Sequence, residues 1–593
     1  MLDQTKASTQ IRNVLSELDQ ALTNNNIDDA LKLFADECYW RDLLSFTWNI
    51  KTLESKEEIR LMIAERLVVV RPTGWATDQE GLAKRTDNIT EGFIRFDTAV
   101  GYGTGYIRLK NGLIWTLLTT MQDLKGHEFS RPIGANHGEH QDEISWAEKR
   151  EVELSELGVT KQPYVLIIGA GQNGLSLGAR LRQLNVPTLI VEKDERPGDS
   201  WRKRYKTLCL HNPVWENHFP YLDFPENWPV FTPKDKYADW LEAYSKLMEL
   251  NIWGGAEAKH ASYNHDSQKW TVVIERNGEE ITLQPNHLVF ATGLSGSRPN
   301  MPNIPGQDEF DGIQQHSAEH PGPEGMEGKN VVVIGSSTSA HDICAALAKN
   351  GVDVTMVQRS PSYIVKSESF MKHVLRPLYS EEAVASGITA EKADLLNASI
   401  PFAKFADFMK PGVDAIREAD AGFYQALEDA GFLLDFGPGG TGLFGKYLTG
   451  TNNYYIDIGT SQMIIDGKIK LASGSGVEKL DKNSVILEDD RQIPADVVIY
   501  ATGFNSMEGW AAELISQDVA DKIGTVWGFG SGTQKDPGPW EGELRNMWKP
   551  TKQEGLWFQG SLIAHARFYS HFVALQLKAR MEGVPTPIYG LDD

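Results

Sequence analysis

Residues 164–183, YVLIIGAGQNGLSLGARLRQ, constrain this chain more than any other stretch. YVLIIG reads as a buried strand, and Gly169, Gly171 and Gly174 complete a GxGxxG turn that opens directly into a helix. Three demands place glycine there: the turn is tight, the backbone must approach a pyrophosphate, and the helix must pack close to the strand. The helix start, with Gln172 and Asn173, then points free N–H groups and a positive dipole end at the phosphates. The next strand, TLIVE, ends in Glu192, 18 positions after Gly174, where a carboxylate accepts hydrogen bonds from an adenosine ribose; Lys193 follows it. A GxGxxG framed by strand, helix and acidic strand end reads as a dinucleotide site.

The same grammar recurs. NVVVIG at 330–335 leads into a turn of Gly335, Ser336, Ser337, Thr338, Ser339 and Ala340, in which Ser337 and Ala340 replace the second and third glycines. The Ser337 hydroxyl is available to a phosphate in this reading. The strand that follows, DVTMVQRS, carries Gln358, Arg359 and Ser360 at its end and no acid. A carboxylate there would repel a 2′-phosphate, whereas a guanidinium pairs with it. FATG at 290–293, with Thr292, is echoed by YATG at 500–503, with Thr502 and Gly503. Two nucleotide folds in one chain suggest a flavin on one and a nicotinamide on the other. The acidic first fold is read as the FAD site and the basic second as the NADPH site, with NADH as a second donor.

At 593 residues the chain exceeds what one core serves, and roughly two to four domains are expected. Residues 161–295 read as the first part of an FAD-binding domain, 296–500 as an NAD(P)-binding domain with a helical insertion, and 501–593 as the rest of the FAD-binding domain. Residues 1–128 read as a separate unit. Ile11, Leu15, Leu18 and Leu22 share a helical face, Asp28 can cap a short second helix, and Ser55 with Glu58 has capping-box spacing. Asn111-Gly112 between alternating segments signals a hairpin. Polar residues 129–160 read as a linker with one surface helix. The fold class expected is an α/β two-dinucleotide-binding-domain (Rossmann-like) flavoprotein with an N-terminal α+β cone domain.

The net charge of −23 disfavours nucleic acid and anionic membrane as partners. Cys38, Cys209 and Cys344 form no CxxC pair, which argues against a disulfide framework or a zinc site. The first ten residues lack the apolar stretch of a signal peptide, and no apolar run approaches the ~18 residues of a membrane span. A cytoplasmic location is expected.

Between the two folds, FDGIQQHSAEHP sets Phe310, Gly312 and His316 in the spacing FxGxxxH. This resembles the fingerprint of flavin-dependent monooxygenases and Baeyer–Villiger monooxygenases, where the motif also stands between two nucleotide folds. Those groups carry Tyr or Phe, or else Trp, four residues after the histidine; His320-Pro321 here looks like the type II flavin monooxygenases. GDSWRKRYKTLCLHNP resembles the family's run from a glycine turn through Trp201 to the flavin face, and the two Ala-Thr-Gly segments resemble its interdomain crossings. NNYYIDIGTSQMI and GLWFQGSLIAHARFYS look like later type II segments, and the N-terminal unit resembles the SnoaL-like extension known for that group. The resemblance covers about residues 160–593 well and 1–128 loosely.

The resemblance implies a class B monooxygenase that uses FAD, NAD(P)H and O₂, through a C4a-hydroperoxyflavin, to oxygenate a small organic substrate at a ketone or at soft nitrogen or sulfur. Such enzymes place an Asn near the peroxide shortly before a Pro. Anchored on Pro213, the matching position is His211, with Asn212 beside it. His211 is favoured because it can both donate and titrate. His316 is read as shaping the interdomain hinge. Lys446, the nearest counterpart of the Baeyer–Villiger active-site arginine, reads as a solvated charge. Arg567 and Tyr569 fall near a C-terminal flavin-side helix. The alternative is a flavin-dependent NAD(P)H oxidase or reductase; a disulfide-type reductase would want a CxxC. The N-terminal unit reads as an interface-forming module, for a homodimer or for binding, in which Trp40-Arg41-Asp42 offers one acid and no histidine partner.

Overall fold

In the computed structural model, residues 2–78, 82–129, 144–293, 298–450, 453–528 and 543–590 are described. The N-terminal domain starts with α1 (Leu2–Thr23), whose Ile11, Leu15, Leu18 and Leu22 are all buried against the sheet that follows. The cap of the second, short helix is Asn26, which accepts from the Asp29 amide at 3.1 Å, and not Asp28, which lies inside the first turn. Ser55 caps α2 (Lys56–Val70) as its spacing predicts, accepting from Glu58 N. Seven strands curve over these helices: β1 (Phe34–Leu43), β2 (Ile50–Leu53), β3 (Thr73–Asp78), β4 (Lys84–Thr86), β5 (Ile89–Asp97), β6 (Gly101–Lys110) and β7 (Leu113–Leu124). Their order is β2-β1-β7-β6-β5-β3, with β4 on β5. The β6–β7 turn has Asn111 and Gly112 both at positive φ (54° and 87°), the geometry a two-residue hairpin favours.

Of the expected linker, residues 130–143 lie outside the described residues. Its helix exists as α3 (Trp146–Glu156), closed by a Ser145–Glu148 capping box. It is pinned to the first nucleotide fold: Arg150 donates to Asn251 Oδ1 (2.6 Å) and Leu250 O (2.7 Å), and Glu153 pairs with Arg182.

The first nucleotide fold is a five-stranded parallel sheet in the order β10-β9-β8-β11-β12: β8 (Val165–Ile168), β9 (Thr188–Val191), β10 (Ile252–Trp253), β11 (His287–Phe290) and β12 (Leu556–Phe558). Its fifth strand thus returns from near the end of the chain. The second is also five-stranded and parallel; its strands in spatial order are Ile313–His316, Val497–Tyr500, Asn330–Ile334, Asp353–Gln358 and Lys470–Ser473. Both sheets reverse direction beside the glycine-turn strand, and ligands of such sheets bind at that switch point, off the carboxyl edge. Helices between residues 367 and 448 form the insertion.

The N-terminal domain is not an outlying module. Leu43, Leu44, Trp48, Phe93, Tyr106, Leu118 and Met121 share one apolar cluster with the strands of the first nucleotide fold. Arg41, 2% exposed, crosses this seam: it donates to Ala398 O (2.6 Å) in the insertion and to the Tyr569 hydroxyl (3.2 Å) in the C-terminal helix, and pairs with Glu543 (3.2 Å). The neighbouring Asp42 is turned inward, where Thr119, Thr47 and the Phe46 and Thr47 amides donate to it.

Candidate active site

The first cradle is built for a ligand on its open side only. Gly169 sits at φ +107°, and a Cβ there would stand 2.7 Å from Ala291 O; one on Gly174 would stand 2.0 Å from Gly169 O. Behind the turn there is no room. A Cβ on Gly171, which caps the helix Gln172–Gln183, would meet nothing within 4 Å, so the space in front of it is free for a phosphate. Glu192 holds the turn: its carboxylate accepts from Ala170 N (2.7 Å) and Asp194 N (3.0 Å). Burial raises its pKa while those amides pull it back. Lys193 is exposed. Around the same edge, Asn173 Oδ1, Thr292 Oγ1 and both amide atoms of Gln559 are buried with no partner among the described residues. A buried polar atom left unmatched costs about 1–3 kcal/mol, so this cluster fits a polar cofactor such as FAD.

The second cradle repeats the packing. Gly335 sits at φ +133°, and a Cβ there would stand 2.3 Å from Ala501 O. In both folds, therefore, the alanine of an Ala-Thr-Gly segment presses on the first turn glycine, which is why the two motifs come as a pair. The serine-rich turn differs from expectation. Ser337 caps the helix Thr338–Lys349, but its hydroxyl donates to Asn453 Oδ1 (2.9 Å), so its proton is taken within the protein. Ser336 meets Ser362 (2.9 Å), and Thr338 donates to Tyr454 O (3.0 Å); Ser339 is half-buried. Backbone amides are what this turn offers a phosphate. Gln358 is buried and clamped by the Leu433 backbone (2.8 and 2.9 Å), which leaves Arg359 and Ser360 exposed beyond it.

Between the cradles, Trp201 touches the cores of both folds and stands edge-on to Tyr237. His316, 1% exposed, accepts from Ala318 N on Nδ1 (3.1 Å) and so carries its proton on Nε2, which donates to Gly503 O (3.0 Å). It thus grips the crossing at Thr502 and Gly503, whose Thr502 hydroxyl donates to Asn300 O. Burial lowers the pKa of His316 and keeps it neutral. His211 faces the second fold, with Nε2 3.8 Å from Asp342 Oδ2, an oxygen that accepts from Tyr205 (2.7 Å). Asn212 is engaged twice: its carbonyl accepts from Asn217 (2.7 Å), and its side chain bonds Glu216, a carboxyl that burial pushes up to about 7.

Three features escape sequence reasoning. Lys446 is not solvated; it is buried and paired with Asp435. Arg567 joins Asp394 and two backbone carbonyls, and Ser561 and His565 form a hydrogen-bonded pair with Tyr447. Arg567 and Ser561 find partners over a hundred positions away, and no motif announces the pairing of Lys446 with Asp435 11 positions before it.

A family model described as pyridine nucleotide-disulphide oxidoreductase matches residues 166–399. A probable indole-3-pyruvate monooxygenase of Arabidopsis thaliana (YUCCA10) is 28% identical over 345 residues, covering 58% of this chain and 82% of that protein. An indole-3-pyruvate monooxygenase of Oryza sativa subsp. japonica (YUCCA1) is also 28% identical, over 61% of this chain and 82% of its own length. A solved structure of OTEMO in complex with FAD and NADP has the same fold, with a TM-score of 0.50 and 17% identity over 71% of this chain and 87% of that one. This chain is an NAD(P)H-dependent flavin monooxygenase. The monooxygenase is an enzyme of FAD and NAD(P)H, in which the glycine cradle of the first fold and the serine turn of the second stand 166 positions apart at equivalent sheet edges. Its three cysteines, Cys38, Cys209 and Cys344, are free.

The open space at Gly171 gives a clean test. Gly171→Val should fold, because its Cβ meets no protein atom, yet lose the cofactor. The expected result is native circular dichroism with FAD, measured after denaturation, reduced by at least about tenfold. Full FAD occupancy in this variant would contradict the cradle.

Proposed function

We propose that this monooxygenase holds FAD on the first fold and NADPH on the second, and inserts one atom of O₂ into a small organic molecule, at a carbonyl or at a soft nitrogen or sulfur. The other oxygen atom leaves as water with two electrons from the nicotinamide. Bound FAD supplies the electron transfer to O₂; the protein's residues bind, orient and exclude water. The observation that carries this reading is the contrast between the two strand ends: Glu192 is fixed by two amides beside the first cradle, while Arg359 stands exposed and without an ion pair among the described residues beside the second. In the same reading Gln172, Asn173 and Gly174 carry the helix start toward the pyrophosphate, and His316 acts on the crossing rather than on substrate. The relatives' indole-3-pyruvate is an aromatic-bearing carbonyl compound, which accords with a ketone substrate here. The SnoaL-like resemblance of the N-terminal domain is kept as a likeness of fold; its buried, fully hydrogen-bonded Asp42 favours a structural role.

Kinetics with the two nicotinamides test the second site. Arg359→Ala should raise KM for NADPH about tenfold and change that for NADH less than about twofold, because only NADPH carries the phosphate a guanidinium pairs with. Equal changes for both would remove Arg359 from the site.

Of the two residues before Pro213, His211 is the freer donor, since the Asn212 side chain is taken by Glu216. His211→Ala should therefore oxidise NADPH at a rate near wild type and release H₂O₂ in place of product, and Asn212→Ala should do so less. Tight coupling of NADPH use to product in His211→Ala would show that the reacting oxygen lies elsewhere.

A further inference from the structure

A hydrogen-bonded line of side chains ends on an aromatic enclosure at the edge of the first cradle. Tyr447 Oη meets Ser561 Oγ at 2.7 Å, and Ser561 Oγ meets His565 Nδ1 at 2.7 Å. In the arrangement where Tyr447 donates to Ser561 and Ser561 donates to Nδ1, the imidazole proton sits on Nε2. Nε2 has no partner among the described residues. The ring is neutral: burial lowers its pKa to about 4, and Arg567 and Arg41 add to that.

Four aromatic side chains surround this histidine. Ring centroids of Trp548, Tyr569, Trp527 and Tyr447 lie 5.8, 5.8, 6.0 and 6.2 Å from it. His565 nevertheless keeps part of its surface accessible, so it is not packed shut. Trp548 Nε1 is buried without a partner. The backbone is strained at three of these positions: Trp527, Trp548 and Ser561 have φ of +78°, +63° and +89°, a region that non-glycine residues occupy when the surroundings force it and that clusters at functional sites. The enclosure adjoins the cradle, because Asn173 in the glycine turn donates to Ser561 O (3.1 Å).

We propose that this enclosure is the substrate pocket, and that His565, aligned through Ser561 and Tyr447, donates its Nε2 proton in a hydrogen bond to the carbonyl oxygen of a flat, uncharged, aromatic-bearing ketone. The inference rests on the monooxygenase reading and deepens it. The aromatic faces supply apolar contact and stacking, and a neutral donor suits a neutral acceptor in a dry site. Any charge on the ring would be costly there, so the histidine orients and polarises the carbonyl instead of carrying a full positive charge.

The test uses the oxidised holoenzyme without nicotinamide, so nothing turns over. Binding of 1-indanone and of indane, which lacks the carbonyl, is measured by calorimetry on wild type, His565→Gln, His565→Leu and Ser561→Ala, each checked for FAD content and melting temperature. Wild type should prefer the ketone by about tenfold, the value of one hydrogen bond in a dry site. His565→Leu should lose that preference with indane affinity kept, His565→Gln should recover part of it, and Ser561→Ala should weaken it. Equal binding of both compounds by wild type, or an unchanged preference in His565→Leu, would overturn the assignment. Loss of FAD in His565→Leu and Ser561→Ala alike would give the enclosure to the cofactor and overturn it too. A protein that holds no flavin yet still prefers the ketone would refute the monooxygenase reading while leaving this pocket standing.

Discussion

One buried guanidinium holds the working edge of this protein together. Arg567, 1% exposed, donates to both oxygens of Asp394 (2.8 Å each) and, through Nη1, to the carbonyls of Glu216 and His218 (2.7 Å each). Asp394 also accepts from Tyr379 (2.9 Å). Three distant pieces of chain meet there: the C-terminal helix Ile563–Met581, the insertion helix Ala390–Ala398 and the loop that carries His211 and Asn212. A planar fork suits this task, because it can bind a carboxylate bidentately and still reach two carbonyls. Asp394 outweighs the burial that would discharge the guanidinium and keeps it protonated. Breaking such a pair from one side costs about 3–5 kcal/mol, so the loop at residues 211–218, the insertion and the last helix are tied together at this point.

A second arginine extends the unit to the N-terminal domain. Arg41 contacts Tyr569 two residues beyond Arg567, and Tyr569 stacks on Trp548 at 4.0 Å. Residues 1–128 therefore form an interface within the chain itself, against its own C-terminal helix and insertion. Its acid, Asp42, is consumed by threonine hydroxyls and backbone amides, and its neighbour Arg41 braces one wall of the aromatic enclosure. Arg108 repeats the pattern, donating to Ser399 O at 3.0 Å.

Local physics wrote the legible parts of the sequence. Gly169, Gly174 and Gly335 are glycines because a Cβ at each would collide with a carbonyl, and the helical face of Ile11, Leu15, Leu18 and Leu22 is a face because a core lies on one side. The capping of α2 by Ser55 and the turn at Asn111-Gly112 follow from single-residue preferences. Where the chain solves a problem with distant partners, the sequence is silent. Arg567 and Asp394 are 173 positions apart. Lys446 looked solvated because no motif announces its pairing with Asp435, 11 positions before it, and the Ser337 hydroxyl looked free because Asn453 lies 116 positions on. His565 was hidden for the same reason: its significance comes from Tyr447 and from three aromatic rings brought to it by the fold.

The visible absorption of the purified protein, titrated with NADPH without oxygen and then opened to air, tests the central claim most directly, because it requires both folds and O₂ to act in one molecule. The account predicts flavin bands that bleach with about one equivalent of NADPH and return when air is admitted. A folded protein that carries no flavin and takes up none, or a flavin that neither NADPH nor NADH reduces, would contradict it.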